Sequence, residues 1–371
     1  MFHNYRFKNL DVKLIIAVIA LTIIGIFVIG SANEANQQKQ ILGMILGIFV
    51  MTGMALLDYD FLLHFHWVYY FLVLGLLASV LLFGEKSGGA TRWIDVGIRF
   101  QPSELAKILL ILFFAWFFMM HEEDINKPKT LAITIVLSMF PLILIEKEPD
   151  LSTTIVTMMI ICVMIFVTGV SYKLVGAIVG VTIPGIALLL FLVTRDGQTI
   201  LDEYQGLRIL AWLKPDEYPS SSYQQQNSIM AIGSGQLLGK GLGNQAFDSV
   251  KNGNYISEPH TDFIFAVAGE ELGFVGSALI IILIFFITIE ILMIAKNAKD
   301  IAGKLICIGM ATLIGFQSFV NICVVTGLMP NTGLPLPFVS YGLTSLVTIY
   351  FGIGIVLNVG LQSKNNNGRL F

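Results

Sequence analysis

The stretch Glu258–Ile294, EPHTDFIFAVAGEELGFVGSALIIILIFFITIEILMI, decides the fold. A polar turn containing Pro259 and Asp262 runs into an apolar segment longer than the roughly 20 residues a helix needs to cross a bilayer. A spanning segment must satisfy its own backbone polar groups, so a run of this kind in lipid is helical. Working outward, comparable runs lie at 14–30, 40–57, 67–83, 104–120, 131–146, 152–169, 172–194, 303–327 and 339–361. With 264–294 they predict an all-α, polytopic membrane protein of about ten transmembrane helices. The chain is 56% hydrophobic and only 13% charged, where soluble domains are about a quarter charged. A single membrane domain, 1–371, follows, with one long extracellular loop at about 195–263 between helices 7 and 8.

A net charge of -3 gives no electrostatic case for nucleic acid. Cys162, Cys307 and Cys323 all fall inside apolar runs and read as packed thiols. The first run follows Arg6, Lys8 and Lys13 and exceeds a signal-peptide core, so it reads as an uncleaved helix. With the N-terminus inside, the short inner segments hold eleven Lys and Arg and the short outer loops five. That bias places both termini in the cytoplasm and the long loop outside. The unusual polar sequence then crowds the outer face, at Gly88–Glu104, Glu146–Asp150, Arg195–Asp262 and Met329–Gly342.

Several motifs have ordinary readings. Gly233–Gly243 resembles a phosphate cradle but fails the P-loop pattern, with Ser234 at the first glycine and Gly241 after Lys240 where Ser or Thr belongs. It can wrap a pyrophosphate with backbone N–H groups and one lysine, or form a tight re-entrant turn; the residues fit both. Gly43 and Gly47, like Gly176 and Gly180, have the small-residue spacing of close helix contacts. Asp58 and Asp60 read as interfacial acids, and His121–Asp124 as a solvated charged turn.

Other residues point to chemistry. Glu104 and Lys107 share a helix face three residues apart and can pair, as a brace or around a substrate. Glu270 and Glu271 cannot both share a face with Asp262 on a regular helix, and Glu271 reads as structural. Asp262 stands where the polar loop meets the apolar helix; it or Thr261 can cap that helix. A carboxylate at the wet edge of a membrane cavity is equally suited to act as general base for a hydroxyl nucleophile. His260 is a second titratable group within reach. Three prolines and two glycines over Pro330–Gly342 preclude regular helix, and such backbone persists at membrane depth only when buried in protein or lining a cavity.

Together these segments resemble the SEDS family, the RodA, FtsW and SpoVE proteins of bacterial wall synthesis, over essentially the whole chain. The resemblance rests on Arg92-Trp93-Ile94 followed by Phe100-Gln101-Pro102-Ser103-Glu104-Leu105-Ala106-Lys107, on Glu148-Pro149-Asp150-Leu151, and on Ala231–Gly235. It rests further on His260-Thr261-Asp262 with Gly269–Gly273, and on Pro335–Gly342 with its Ser340-Tyr341 pair. Thr332–Pro337 looks RodA-like and Ala268–Gly273 also suits FtsW; the short termini favour RodA. One departure is Leu343 where the family usually has glycine.

The resemblance implies a peptidoglycan glycosyltransferase that polymerises lipid II outside the cytoplasmic membrane. It puts the essential acid on Asp262, the Glu–Lys pair on Glu104 and Lys107, and the outer-loop arginine on Arg92. Cations must meet the leaving pyrophosphate, for which Arg92, Lys107, Lys240 and Arg208 are candidates, with a divalent cation (Mg or Mn) as a further one. Trp93, Gln101, Ser103, Asp150, His260, Thr261, Ser340 and Tyr341 complete the expected substrate contacts. A class B penicillin-binding protein transpeptidase and other elongation or division proteins are the implied partners. A lipid II flippase and a non-catalytic scaffold are the rival readings. A flippase needs a polar route through both leaflets, and a scaffold tolerates loss of Asp262.

Overall fold

The computed structural model describes residues 5–87, 90–95, 99–194, 203–244, 249, 253 and 255–363. They form α1 (Val12–Ala32), α2 (Glu34–Leu56), the short α3 (Tyr59–Leu63), α4 (His66–Phe83), and strands β1 (Glu85–Ser87), β2 (Ala90–Asp95) and β3 (Arg99–Phe100). Next come α5 (Pro102–Met120), α6 (Pro128–Lys147), α7 (Leu151–Val167), α8 (Tyr172–Val193), α9 (Glu203–Leu213) and α10 (Pro219–Ser234). The chain closes with α11 (Ile264–Lys296), α12 (Ile301–Val325) and α13 (Leu343–Leu361).

Every apolar run read from the sequence is a helix. Eight of the described helices are long and apolar enough to cross a membrane, α7 is a shorter apolar helix of 17 residues, and α8 has 22 residues. Their ends follow local chemistry. Asp11 accepts from Leu14 N, Asn33 from Asn36 N, Asp150 from Thr153 N and Asp300 from Gly303 N, each satisfying a donor that a helix N-terminus leaves orphaned. Asn33 explains why α2 starts earlier than the expected residue 40: the polar turn Glu34–Lys39 is recruited into the helix behind its cap. The last span starts later than expected, at Leu343, because Pro335 and Pro337 break the backbone before it. Leu343 is helical there, so the departure from glycine costs no helix.

Five elements were not legible as such. The three strands make a small antiparallel meander between α4 and α5, pairing Ile94 with Phe100. The long loop carries α9 and the polar α10, the latter started by Pro219 in its first turn.

Most of α5, α12 and α13 lies inside the bundle, whereas α2, α4 and α6 turn most of their surface outward. That outward surface is apolar, with Phe49, Leu82 and Phe83 each more than 70% exposed, as lipid-facing helices require. Gly43 and Gly47 bring α2 against α13: a Cβ on Gly47 would stand 2.9 Å from Tyr350 Cγ. The expectation for Gly176 and Gly180 is not met among the described residues, none of which lies within 4 Å of a Cβ at either position. Asp58 caps α3, and Asp60 pairs with Lys299 at 2.5 Å, as interfacial acids do. Arg6 N donates to Leu361 O, so both chain ends lie at the same end of the bundle, opposite the start of α13.

α11 is broken at Gly273, whose φ of 65° is open to glycine but strained for other residues. The turn after α10 docks into that break. Lys240 N and Gly241 N donate to the Glu270 and Glu271 carbonyls, and Phe274 N and Val275 N donate back to Gln236 and Leu237. Gly233–Gly243 is therefore a tight turn whose N–H groups at 240 and 241 are spent on α11 and cannot wrap an anion.

Candidate active site

Asp262 is delivered by the turn before α11. The helix N-cap is Phe263 and no side chain caps it; the Thr261 hydroxyl donates instead to Glu258 O at 2.8 Å. Neither Thr261 nor Asp262 caps the helix, which leaves the Asp262 carboxylate for other work. Its position is fixed through the backbone. Asn321 of α12 donates one amide to Asp262 O (2.8 Å) and Leu334 O (2.6 Å), tying the turn to the proline-rich segment. Ser340 Oγ donates to Thr261 O at 2.8 Å and accepts from Leu336 N at 2.7 Å. Tyr341 N donates to His260 O, and Gln40 of α2 holds Ser340 O and Gly342 N. Glu258 and Phe338 lie on either side at positive φ (50° and 66°), a strain that the surrounding bonds sustain.

Two guanidinium groups meet Asp262 across Gly333. A Cβ at Gly333 would stand 3.3 Å from Asp262 Oδ2 and 3.7 Å from both Arg92 Nη1 and Arg208 Nη1. Arg208, on α9, donates to Asn331 O at 3.3 Å. Arg92, on β2, donates to Pro149 O, and its Nε lies 3.6 Å from Asp150 Oδ2. Asp150 also caps α7 and accepts from Gln101 at 3.4 Å. Burial pushes the Asp262 carboxyl up to about 6, against the pull of Arg208 and then Arg92, with Asp150 and Glu258 adding to the rise. Burial also lowers His260, against the pull of Glu258, and so favours its neutral form. Because Gly333 sits at φ 76° with these groups around it, Gly333→Ala is expected to displace them and lower turnover by about tenfold or more, a 1 Å misplacement being sufficient. The check is the turnover of variant and wild type, normalised to folded protein.

Asp262 lies where two cavities meet. One, of about 70 Å³, is lined by Trp93, Gln101, Thr261, Ser340 and Tyr341 among others. The other, of about 470 Å³, is lined by Arg208, Gln224, Ser257, Glu258 and Asn331. The structure thus gathers Arg92, Trp93, Gln101, Asp150, Arg208, His260, Thr261, Ser340 and Tyr341 around the acid. Glu104 and Lys107 form the layer beneath. Their 2.7 Å ion pair is almost fully buried, Lys107 donates to Gln317 Oε1, and Gln317 donates to Pro335 O. Ser345 donates to Glu104 at 3.3 Å, so the pair braces the loop from below. Ser103 is fully buried beside them. Lys240 lies elsewhere, paired with Glu270 at 2.8 Å in a separate cavity with Asn227, Ser234 and Tyr255. Glu271 accepts from Ser31 of α1 at 2.6 Å, the structural role expected of it.

Gln40, Gln317 and Asn321 were missed. The signal for the last two was available: two amides four residues apart in an apolar run share one face and, in a membrane, must have partners. Glu148, buried behind Arg92 and Asp150, gave no such signal because only tertiary packing buries it.

The donor set does not suit a protein-held cation. Among the described residues no three His, Cys, Asp or Glu side chains gather as metal ligands, and the charge facing Asp262 is guanidinium.

The family model described as "Cell cycle protein", whose name joins FtsW, RodA and SpoVE, matches residues 10–365. The peptidoglycan glycosyltransferase MrdB of Escherichia coli K12 is 34% identical over 96% of this chain and 95% of its own. The probable peptidoglycan glycosyltransferase FtsW of Geobacter sulfurreducens is 33% identical over 96% of both chains. A chain from a solved peptidoglycan synthase complex, described as coordinating polymerization and crosslinking, superposes with a TM-score of 0.76 at 28% identity, covering 96% of this chain and 98% of that one.

Proposed function

This chain belongs to the FtsW, RodA and SpoVE family of cell cycle proteins, and on that premise we propose that it is a peptidoglycan glycosyltransferase that polymerises lipid II with Asp262 as general base. The observation that carries the reading is the placement of Asp262: a carboxylate spent on no cap, between two cavities, facing two arginines. Two lipid-linked disaccharides must approach the acid from different sides, and Asp262 borders a cavity on each of two sides. Asp262 takes the proton of the acceptor's GlcNAc 4-hydroxyl as that oxygen bonds to the anomeric carbon of the donor's MurNAc. The bond from that carbon to the pyrophosphate oxygen breaks, and undecaprenyl pyrophosphate leaves from the opposite face with the electron pair. Attack opposite the leaving group converts an α-linked donor into a β linkage.

Charge grows on the leaving pyrophosphate, and pre-placed donors aimed at developing charge are the largest source of such catalysis. Arg92 and Arg208 fill that role. Lys107 and Lys240 are engaged by Glu104 and Glu270. A divalent cation, Mg or Mn, would arrive on the pyrophosphate as part of the substrate.

The site opens at the end of the bundle away from both chain ends, which supports cytoplasmic termini and synthesis on the outer face. Below the Glu104–Lys107 layer, Phe113, Phe114 and Phe118 are fully buried among the rings of Trp67, Tyr70 and Phe117. This apolar ring packing directly beneath the ion pair supports bond chemistry over lipid flipping. Likeness to a chain of a synthase complex that couples polymerization to crosslinking supports a class B penicillin-binding protein as partner.

The test is glycan ladder formation from lipid II as a function of pH. The base works ionised, so activity is expected to rise through pH 6 and level off towards pH 7, following a carboxyl raised to about 6. Arg208→Gln removes the largest downward pull and should move this limb to higher pH. An acid limb that stays at the ordinary carboxylate range in both proteins would remove Asp262 as the base.

A further inference from the structure

Behind Arg92 and Asp150 lies a carboxyl that the proposed reaction does not use. Glu148 ends α6, its side chain is fully buried, and among the described residues neither carboxylate oxygen has a hydrogen-bond partner. Buried polar atoms are nearly always paired, so two unpaired oxygens on one group call for an account. The adjoining cation shows the complementary defect. Arg92 Nε is buried without a hydrogen-bond partner, 3.6 Å from Asp150 Oδ2, while another nitrogen of the same guanidinium donates to Pro149 O, the residue after Glu148. One arginine therefore pairs with Asp150, holds the backbone carbonyl next to Glu148 and projects its Nη1 toward Asp262.

The charges around Glu148 are few. Asp150 at the start of α7 and Arg92 on β2 act on it directly. Glu146 and Lys147 on its own helix are exposed, Glu104 and Lys107 of α5 are paired with each other, and the segment 326–342 carries no charged residue. Two ionised carboxyls would compete for a single guanidinium. With Glu148 neutral, Arg92 is left to Asp150 and to the anion bound opposite Asp262.

We propose that Glu148 is a positioning residue that works as the neutral acid: uncharged, it backs Arg92 without claiming it, and ionised it draws the guanidinium back from the pyrophosphate site. Burial and, after it, the charge of Asp150 push this carboxyl up to about 8, with Arg92 opposing. The group is thus neutral below pH 8 and ionises above it, and the fold loses stability as pH rises through that value. The inference rests on the reading of Asp262 and Arg92 given above.

The experiment compares wild type with Glu148→Gln, which keeps the shape of the neutral group and cannot ionise. At pH 7 the variant is expected to build glycan from lipid II within about twofold of wild type. At pH 9 it should retain about tenfold more of its own pH 7 activity than wild type does, since one pH unit above the pKa leaves about a tenth of the acid neutral. Thermal melts supply a readout independent of catalysis: the variant should melt higher than wild type at pH 9, with the gap closing at pH 5. Loss of the pH 7 ladder in a stably folded variant would overturn the proposal by showing that the ionisable group itself is needed. Identical alkaline limbs and parallel melting profiles would overturn it as well. Absence of a ladder from wild type would instead strike the function proposed for Asp262, while the melts would still decide whether Glu148 is held neutral.

Discussion

Asp262→Asn is expected to abolish the glycan ladder, lowering turnover of lipid II by about a hundred- to ten-thousandfold, the usual contribution of a general base. The fold should not suffer. The carboxyl is raised above its ordinary value, so its stabilising contribution is present only at low pH and is lost as pH rises through 6. At pH 7.5 wild type bears that cost and the amide does not. The variant should therefore melt at or above the wild-type temperature while making no glycan, a trade of stability for activity typical of catalytic groups. Equal ladders from the two proteins would remove Asp262 from the chemistry and revive the scaffold reading. The measurement is a gel of glycan products from purified protein with its cognate penicillin-binding protein, paired with a thermal melt.

The second large effect is expected at Lys107, and it should appear in stability first. Lys107 is almost fully buried, 2.7 Å from both Glu104 and Gln317. Lys107→Met removes one partner of a buried ion pair and strands the other, a change that costs about 3–5 kcal/mol. It also releases Gln317, which holds Pro335 in the segment that contacts the Asp262 turn. The expected result is a large drop in melting temperature with activity falling alongside. Adding Glu104→Gln should recover part of the melting temperature, because the stranded charge is gone, without restoring full activity. If Lys107→Met melts like wild type yet cannot use lipid II, the lysine contacts substrate and the bracing role assigned to the pair is wrong. The relative size of the two effects separates the residues: Asp262 costs activity at no stability, Lys107 costs both.

The ten helical runs and the point at which Asp262 meets its helix could be read along the chain. These are local properties. An apolar run must satisfy its own backbone in lipid, prolines fix where a helix can begin or end, and short polar side chains such as those of Asn33 and Asp300 cap the next residues along the chain. Tertiary structure alone decided which charges count. Arg92, Lys107, Arg208 and Lys240 looked alike as cations for a pyrophosphate; packing gave Lys107 to Glu104 and Lys240 to Glu270 and turned Arg92 and Arg208 toward Asp262. The same holds for Gly233–Gly243, whose N–H groups at 240 and 241 are consumed by the break in α11, and for Glu148, an ordinary acid beside a proline until burial leaves it unpaired. The reason is common to all of them. Helix formation and capping are settled within a few residues along the chain, whereas the partner and hydration of a charge are settled by whichever distant segment packs over it.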